Sequence, residues 1–137
     1  MNKKELKARL KQLAINTAKL CMKLPPNPAN KVYIDQVIRS STSSAANYRS
    51  ACRGKSKPDF INKLKTVEEE LDETMFFYEM IAEFNGAFKK DLRELYKEAN
   101  ELLSIMVSSI NTANKNLLNS NGNSKKSEIR NLKSKIE

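Results

Sequence analysis

The 137-residue chain carries 25 Lys and Arg against 16 Asp and Glu, a formal net charge of +9, and contains neither histidine nor tryptophan. Three glycines and four prolines are too few for the turns of a sheet or barrel, so the composition points to one all-α domain. Without histidine there is no Ser-His-Asp or Cys-His nucleophile, no His-ligated zinc and no imidazole base. A pI near 9.6 makes a polyanion the first partner to consider.

Four helical patterns follow in chain order. Leu6, Leu10, Leu13, Thr17, Leu20 and Leu24 recur at steps of three and four, which predicts a helix over about 4–24 with one buried face. Pro25, Pro26 and Pro28 then end it, since proline breaks the hydrogen-bond ladder and restricts its predecessor. A second helix is expected over about 30–53, with Tyr33 or Ile34, Val37, Ile38, Ser41, Ala45, Tyr48 and Cys52 facing inward. Its middle, Ser40 to Ala46, has poor helix propensity and could read as a linker. The apolar period, however, continues on both sides without Gly or Pro. Small side chains here would let a neighbouring helix approach closely.

Ser56-Lys57-Pro58-Asp59 opens a third helix over about 57–84: Ser56 as cap, Pro58 in the first turn, and Asp59 as the acidic member of a capping box. Its buried face would hold Phe60, Leu64, Val67, Leu71, Met75, Tyr78 and Ile81. A second apolar stripe, Phe76, Phe77, Met80 and Phe84, is more than a small bundle core needs and is assigned to an oligomer interface, against the alternative of a thick core. Asn85-Gly86 supplies a turn with Gly86 suited to a left-handed cap. A fourth helix over about 88–118 places Leu92, Leu95, Ala99, Leu102, Met106, Ile110, Ala113 and Leu117 on its core face. Residues 119–137 are expected to form a flexible basic tail, with a short terminal helix through Ile129, Leu132 and Ile136 as the alternative. The fold expected is an up-down-up-down antiparallel four-helix bundle over residues 1–118.

The charge is segregated. Residues 1–29 hold seven bases and one acid, and residues 30–65 hold eight and two, whereas 66–88 hold seven acids and no base. Arg49, Arg53, Lys55, Lys57, Lys63 and Lys65 surround the hairpin between the second and third helices, and Lys7, Arg9 and Lys11 add to this basic surface. Such side chains grip phosphate without reading sequence, which predicts salt-sensitive nucleic-acid binding of low specificity. Aromatic platforms are expected to be spent in the core, favouring duplex or structured RNA over base-stacked single strands. A solvated basic surface without a ligand is the bland alternative. In the acidic block, Glu69, Asp72 and Glu73 are expected to form structural salt bridges to Arg39, Arg49 or Arg53. A di-metal site lacks the histidines and facing carboxylates it would need. Cys21 and Cys52 read as small buried residues of a reducing compartment. No segment has signal-peptide or membrane-span character, the longest uncharged apolar run being Met75 to Tyr78, so a soluble, cytoplasmic protein without membrane contact is expected.

Ile38-Arg39-Ser40-Ser41-Thr42-Ser43-Ser44-Ala45-Ala46-Asn47-Tyr48-Arg49-Ser50-Ala51-Cys52-Arg53 resembles the signature of the four-helix-bundle proteins encoded by intervening sequences in bacterial 23S rRNA genes. The likeness continues through Ser56 to Leu64 and Val67 to Thr74, and the first helix with its proline-rich exit also fits; the tail after Leu118 does not. Two departures stand out: Ser44-Ala45 replaces the family's usual Ile-Gly, and Phe77 stands near the usual tryptophan. The resemblance implies a homopentameric ring with a basic surface, no catalytic activity and no cofactor. The same fold includes the accessory variability determinant of diversity-generating retroelements, so a reverse transcriptase joins RNA among the implied partners. A protein-interaction scaffold that binds no nucleic acid is the competing expectation.

Overall fold

The computed structural model describes the backbone of residues 1–136 and the side chains of residues 1–120. Helices α1 (Lys3–Cys21), α2 (Pro28–Ala51), α3 (Lys57–Phe84) and α4 (Lys89–Ile136) are joined by short connections, the last containing a 3-10 turn at Gly86–Phe88. Each of the first three helices starts on a side-chain cap three residues ahead of the amide it binds. Asn2 accepts from Glu5 N, Asn27 from Asn30 N, and Ser56 from Asp59 N at 3.2 Å. Pro28 and Pro58 occupy first turns, where a missing N–H costs nothing. Pro28 thus begins α2, as well as belonging to the proline run that follows α1.

Three details differ from the sequence reading. α1 stops at Cys21, with Leu24 still buried beyond its end in a tight turn. Gly86 adopts no left-handed conformation, and no described residue does. The chain turns instead through Asn85, whose φ of −138° and ψ of 64° are open to any L-residue. Finally, α4 runs through Leu118 without a break and ends at Ile136. The side chains expected to make a flexible tail or short terminal helix, Ile129, Leu132 and Ile136 among them, lie outside the described residues.

Among the described residues the backbones of α1/α2, α2/α3, α3/α4 and α4/α1 are in contact while the diagonal pairs are not, which is the square of a four-helix bundle. The largest interface joins α2 and α3. α2 enters it with small residues: Ser40, Ser41 and Ser44 are fully buried, and its larger core members are Val37 and Tyr48. The core face therefore runs through Ser44 and Ala51, one position away from the expected Ala45 and Cys52, both only partly buried. On α3 the buried positions are Ile61, Leu64, Val67, Leu71, Thr74, Met75, Tyr78 and Ile81, with Phe60 at the margin. α4 contributes Leu92, Ala99, Leu102, Met106 and Ile110, with Leu95, Ala113 and Leu117 half-buried.

The buried polar groups are all partnered: among the described residues no buried side-chain nitrogen or oxygen lacks a hydrogen bond. Thr17 lies 2.7 Å from the Leu13 carbonyl and 2.6 Å from the Tyr78 hydroxyl. Having one proton, Thr17 donates to Leu13 and accepts from Tyr78. Thr74 Oγ1 likewise lies 2.7 Å from the Glu70 carbonyl and 2.8 Å from Ser40 Oγ, which in turn donates to the Val37 carbonyl at 3.3 Å. Asn30 and Asn85 exchange amide bonds of 2.9 and 2.8 Å, while their second N–H groups reach the Pro25 and Ile81 carbonyls, both at 2.8 Å. This pair ties the α1–α2 connection to the end of α3.

Candidate nucleic-acid interface

The predicted cations divide into three sets. Lys7 and Lys11, one helical turn apart on α1, and Arg49 on α2 rim an open groove of about 530 Å³ between the two helices. Its floor is apolar and shallow-sided, made of Ala14, Ile15, Ala18, Ala45 and Ala46. Arg53, Lys55 and Lys57 stand exposed in and beside the α2–α3 connection. Lys63 is half-buried and donates to Ser50 Oγ at 2.9 Å, so its ammonium helps join α2 to α3. Lys65 lies elsewhere, at a hollow between α3 and α4 with Glu68, Glu69, Asp72, Leu103 and Ile110. Among the described residues Arg49, Arg53, Lys55 and Lys57 make no ion pair.

Arg9, expected on the basic surface, is engaged instead: it pairs with Glu98 and, at 3.3 Å, with Glu101, bracing α1 against α4. The Glu98 hydrogen bond is the main reason its pKa lies above the usual arginine value. Arg39 bridges α2 to α3 through Glu70 at 3.2 Å and through Glu73, whose hydrogen bond raises the Arg39 pKa similarly. Glu70, not Glu69 or Asp72, thus shares Arg39 with Glu73. Glu69 and Asp72 are exposed and unpaired among the described residues. The reason is helical phase: Glu70 and Glu73 flank the α2-facing side of α3, while Glu69 and Asp72 point a quarter-turn or more away.

The aromatic stripe splits as well. Phe77 and Met80 are half-buried, Phe77 packing 6.3 Å from Tyr33 and 5.3 Å from Phe76 between ring centroids. Phe84 stacks on Tyr33 at 5.9 Å yet stays 54% exposed, and Phe76 is 51% exposed. Not every aromatic is therefore spent in the core, contrary to the expectation from sequence. The exposed ones lie among the acids of α3, where a polyanion is repelled.

Burial raises the Cys21 thiol from its ordinary 9.0 to about 11, which keeps it protonated and unreactive near neutrality. Tyr48 and Tyr78 are likewise pushed up, first by burial. Among the described residues no three His, Cys, Asp or Glu side chains gather as a metal site would require, and no helix is long and apolar enough to cross a membrane.

Fold and surface together define a class: a histidine-free four-helix bundle with, among the described residues, unpaired cations along α1 and α2 and clustered at the α2–α3 connection. A family model described as 23S rRNA-intervening sequence protein matches residues 3–108. The chain belongs to that family. Among solved structures it is similar to a protein of unknown function from the S23 ribosomal protein family of Bacteroides thetaiotaomicron, with 26% sequence identity and a TM-score of 0.74. The match covers 81% of this chain and 99% of that one. No curated protein matches.

Proposed function

We propose that this protein is a non-enzymatic, self-associating bundle that holds structured RNA, or an RNA–DNA hybrid, by its phosphates. The observation that carries the reading is the unpaired set Arg53, Lys55 and Lys57, exposed together at the α2–α3 connection. Acids elsewhere neutralise Arg9 and Arg39, but along the chain Asp59 is the only acid between Asp35 and Glu68, the stretch that holds this set. Lys7, Lys11 and Arg49 extend the positive field along α1 and α2, although their alanine-floored groove suits a side chain better than a phosphate. Family membership supports the reading, since the family's name ties it to 23S rRNA. In its fuller form the assembly is a cytoplasmic homopentameric ring, and the RNA is a template presented to a reverse transcriptase.

Three phosphate contacts give a slope of about −3 for log affinity against log salt on a duplex. Fluorescence anisotropy with a labelled RNA hairpin at 50 and 200 mM salt measures it. Arg53→Glu with Lys57→Glu should weaken binding and flatten the slope; a wild-type affinity indifferent to salt sinks the phosphate contacts. The half-exposed Phe76 and Phe84 favour a second reading, a scaffold for a protein partner. That reading gains if the double reversal leaves RNA binding intact while abolishing capture of the partner.

A further inference from the structure

The exposed stripe of α3 and the groove between α1 and α2 are opposite in charge, and each offers apolar surface between its charged groups. Lys65, Glu69, Asp72 and Phe76 succeed one another at steps of four, three and four, and all four are exposed, so they form one outward stripe of the helix. Glu79 continues it a turn further on. At its centre stands Phe76, a bulky apolar side chain left half in water with acids on either side. The α1/α2 groove has the opposite character. Alanines on both helices leave it a shallow apolar floor, and Lys7, Lys11 and Arg49 supply three cations without ion-pair partners among the described residues.

The geometry points to a second copy of this chain as the occupant of the groove, its α3 ridge lying in the trough. Phe76 of that copy covers the alanine floor, while Glu69 and Asp72 meet the lysines and arginine at the rim. Apolar burial at the centre supplies the attraction, and the rim charges set register and exclude wrong partners. Glu69 and Asp72 are free for this role because Arg39 is bound by Glu70 and Glu73. Lys65, at one end of the stripe, must lie beyond the cationic rim, which restricts how the ridge can slide. Donor and acceptor faces are different surfaces of one chain, so the contact is heterologous and propagates head to tail until a ring closes.

This assignment rests on the self-association proposed above and names its faces. Light scattering coupled to size exclusion tests it on three proteins: wild type, a groove reversal (Lys11→Glu, Arg49→Glu) and a ridge reversal (Glu69→Lys, Asp72→Lys), each checked for helicity by circular dichroism. Wild type should exceed the 15.6 kDa of one chain, each reversal should fall to that mass, and an equimolar mixture of the two should reassociate. Opposite charges return wherever the two kinds of copy alternate, which a merely destabilising substitution would not do; a ring of five cannot alternate throughout, so reassociation is read as mass above one chain rather than as recovery of the wild-type mass. A monomeric wild type overturns the self-association and this interface together. An oligomeric wild type whose mass survives either reversal, or reversals that dissociate but fail to reassociate on mixing, overturns the interface alone.

Discussion

Asn30 and Asn85 show how much can rest on two buried amides. Each is almost wholly removed from water, and each satisfies the other while holding a carbonyl, Pro25 in the α1–α2 connection and Ile81 in the last turn of α3. Asn30→Ala or Asn85→Ala leaves the remaining amide buried without its partner, and about 1–3 kcal/mol of stability should be lost in either case. The double variant should lose less than the two single losses added, since no orphaned amide remains. Urea unfolding of the four proteins measures the cycle; strict additivity would mean the pair is not coupled. No local signal in the sequence marks these two residues. They lie 55 positions apart, and each looks like an ordinary cap or turn asparagine until the helices bring them together.

At the scale of the element, α2 carries the main lesson. Its serines were readable as helical because the apolar period continues on both sides, and readable as an allowance for close approach. Their phase was not. Burial on α2 follows helical phase and not hydrophobicity, so Ser44 and Ala51 go inward in step with Val37, Ser41 and Tyr48 while Ala45 and Cys52 remain at the edge. Ser44 is fully buried with its hydroxyl on the Ser41 carbonyl, a bond within its own helix. Ser44→Ala should therefore be tolerated, whereas Ser44→Leu must push α2 from α3, at a cost of about 1–3 kcal/mol typical of overpacking. Thermal unfolding distinguishes the two: a Leu variant as stable as Ala would mean the helices have room to spare. α4 presents the easier case, since its leucines, Met106 and Ile110 are large, periodic and correctly phased from the pattern alone.

For the whole molecule, the buried thiol and phenols link stability to alkaline pH. Cys21 holds its proton more tightly folded than unfolded, so the native state binds more protons at high pH. Its contribution is complete below pH 9 and is lost as pH rises from 9.0 towards about 11; Tyr48 and Tyr78, also shifted upward, act in the same direction at higher pH. Urea midpoints at pH 8, 9.5 and 10.5 should decline, and Cys21→Ala should make the first part of that decline shallower. A slope unchanged by Cys21→Ala would place the lost protons on other groups. With no histidine in the chain, nothing else of that type steepens the profile between pH 6 and 8.

The sequence by itself determined the class of fold, the limits of α3, the core faces of α1 and α4, and the separation of basic from acidic segments. These are local properties: caps, prolines, periods of large apolar residues and runs of charge act within a few turns of chain. The tertiary structure alone decided which charges are consumed and which are free. Arg9 and Lys65 looked equivalent to Lys7 and Lys57 on paper. Arg9 meets two glutamates of α4, and Lys65 lies beside an acidic hollow on another face. An ion pair depends on distance across the bundle, a quantity that helix phase and packing set, and on that quantity rests the separation of a phosphate-binding end from a groove suited to a second copy of the chain.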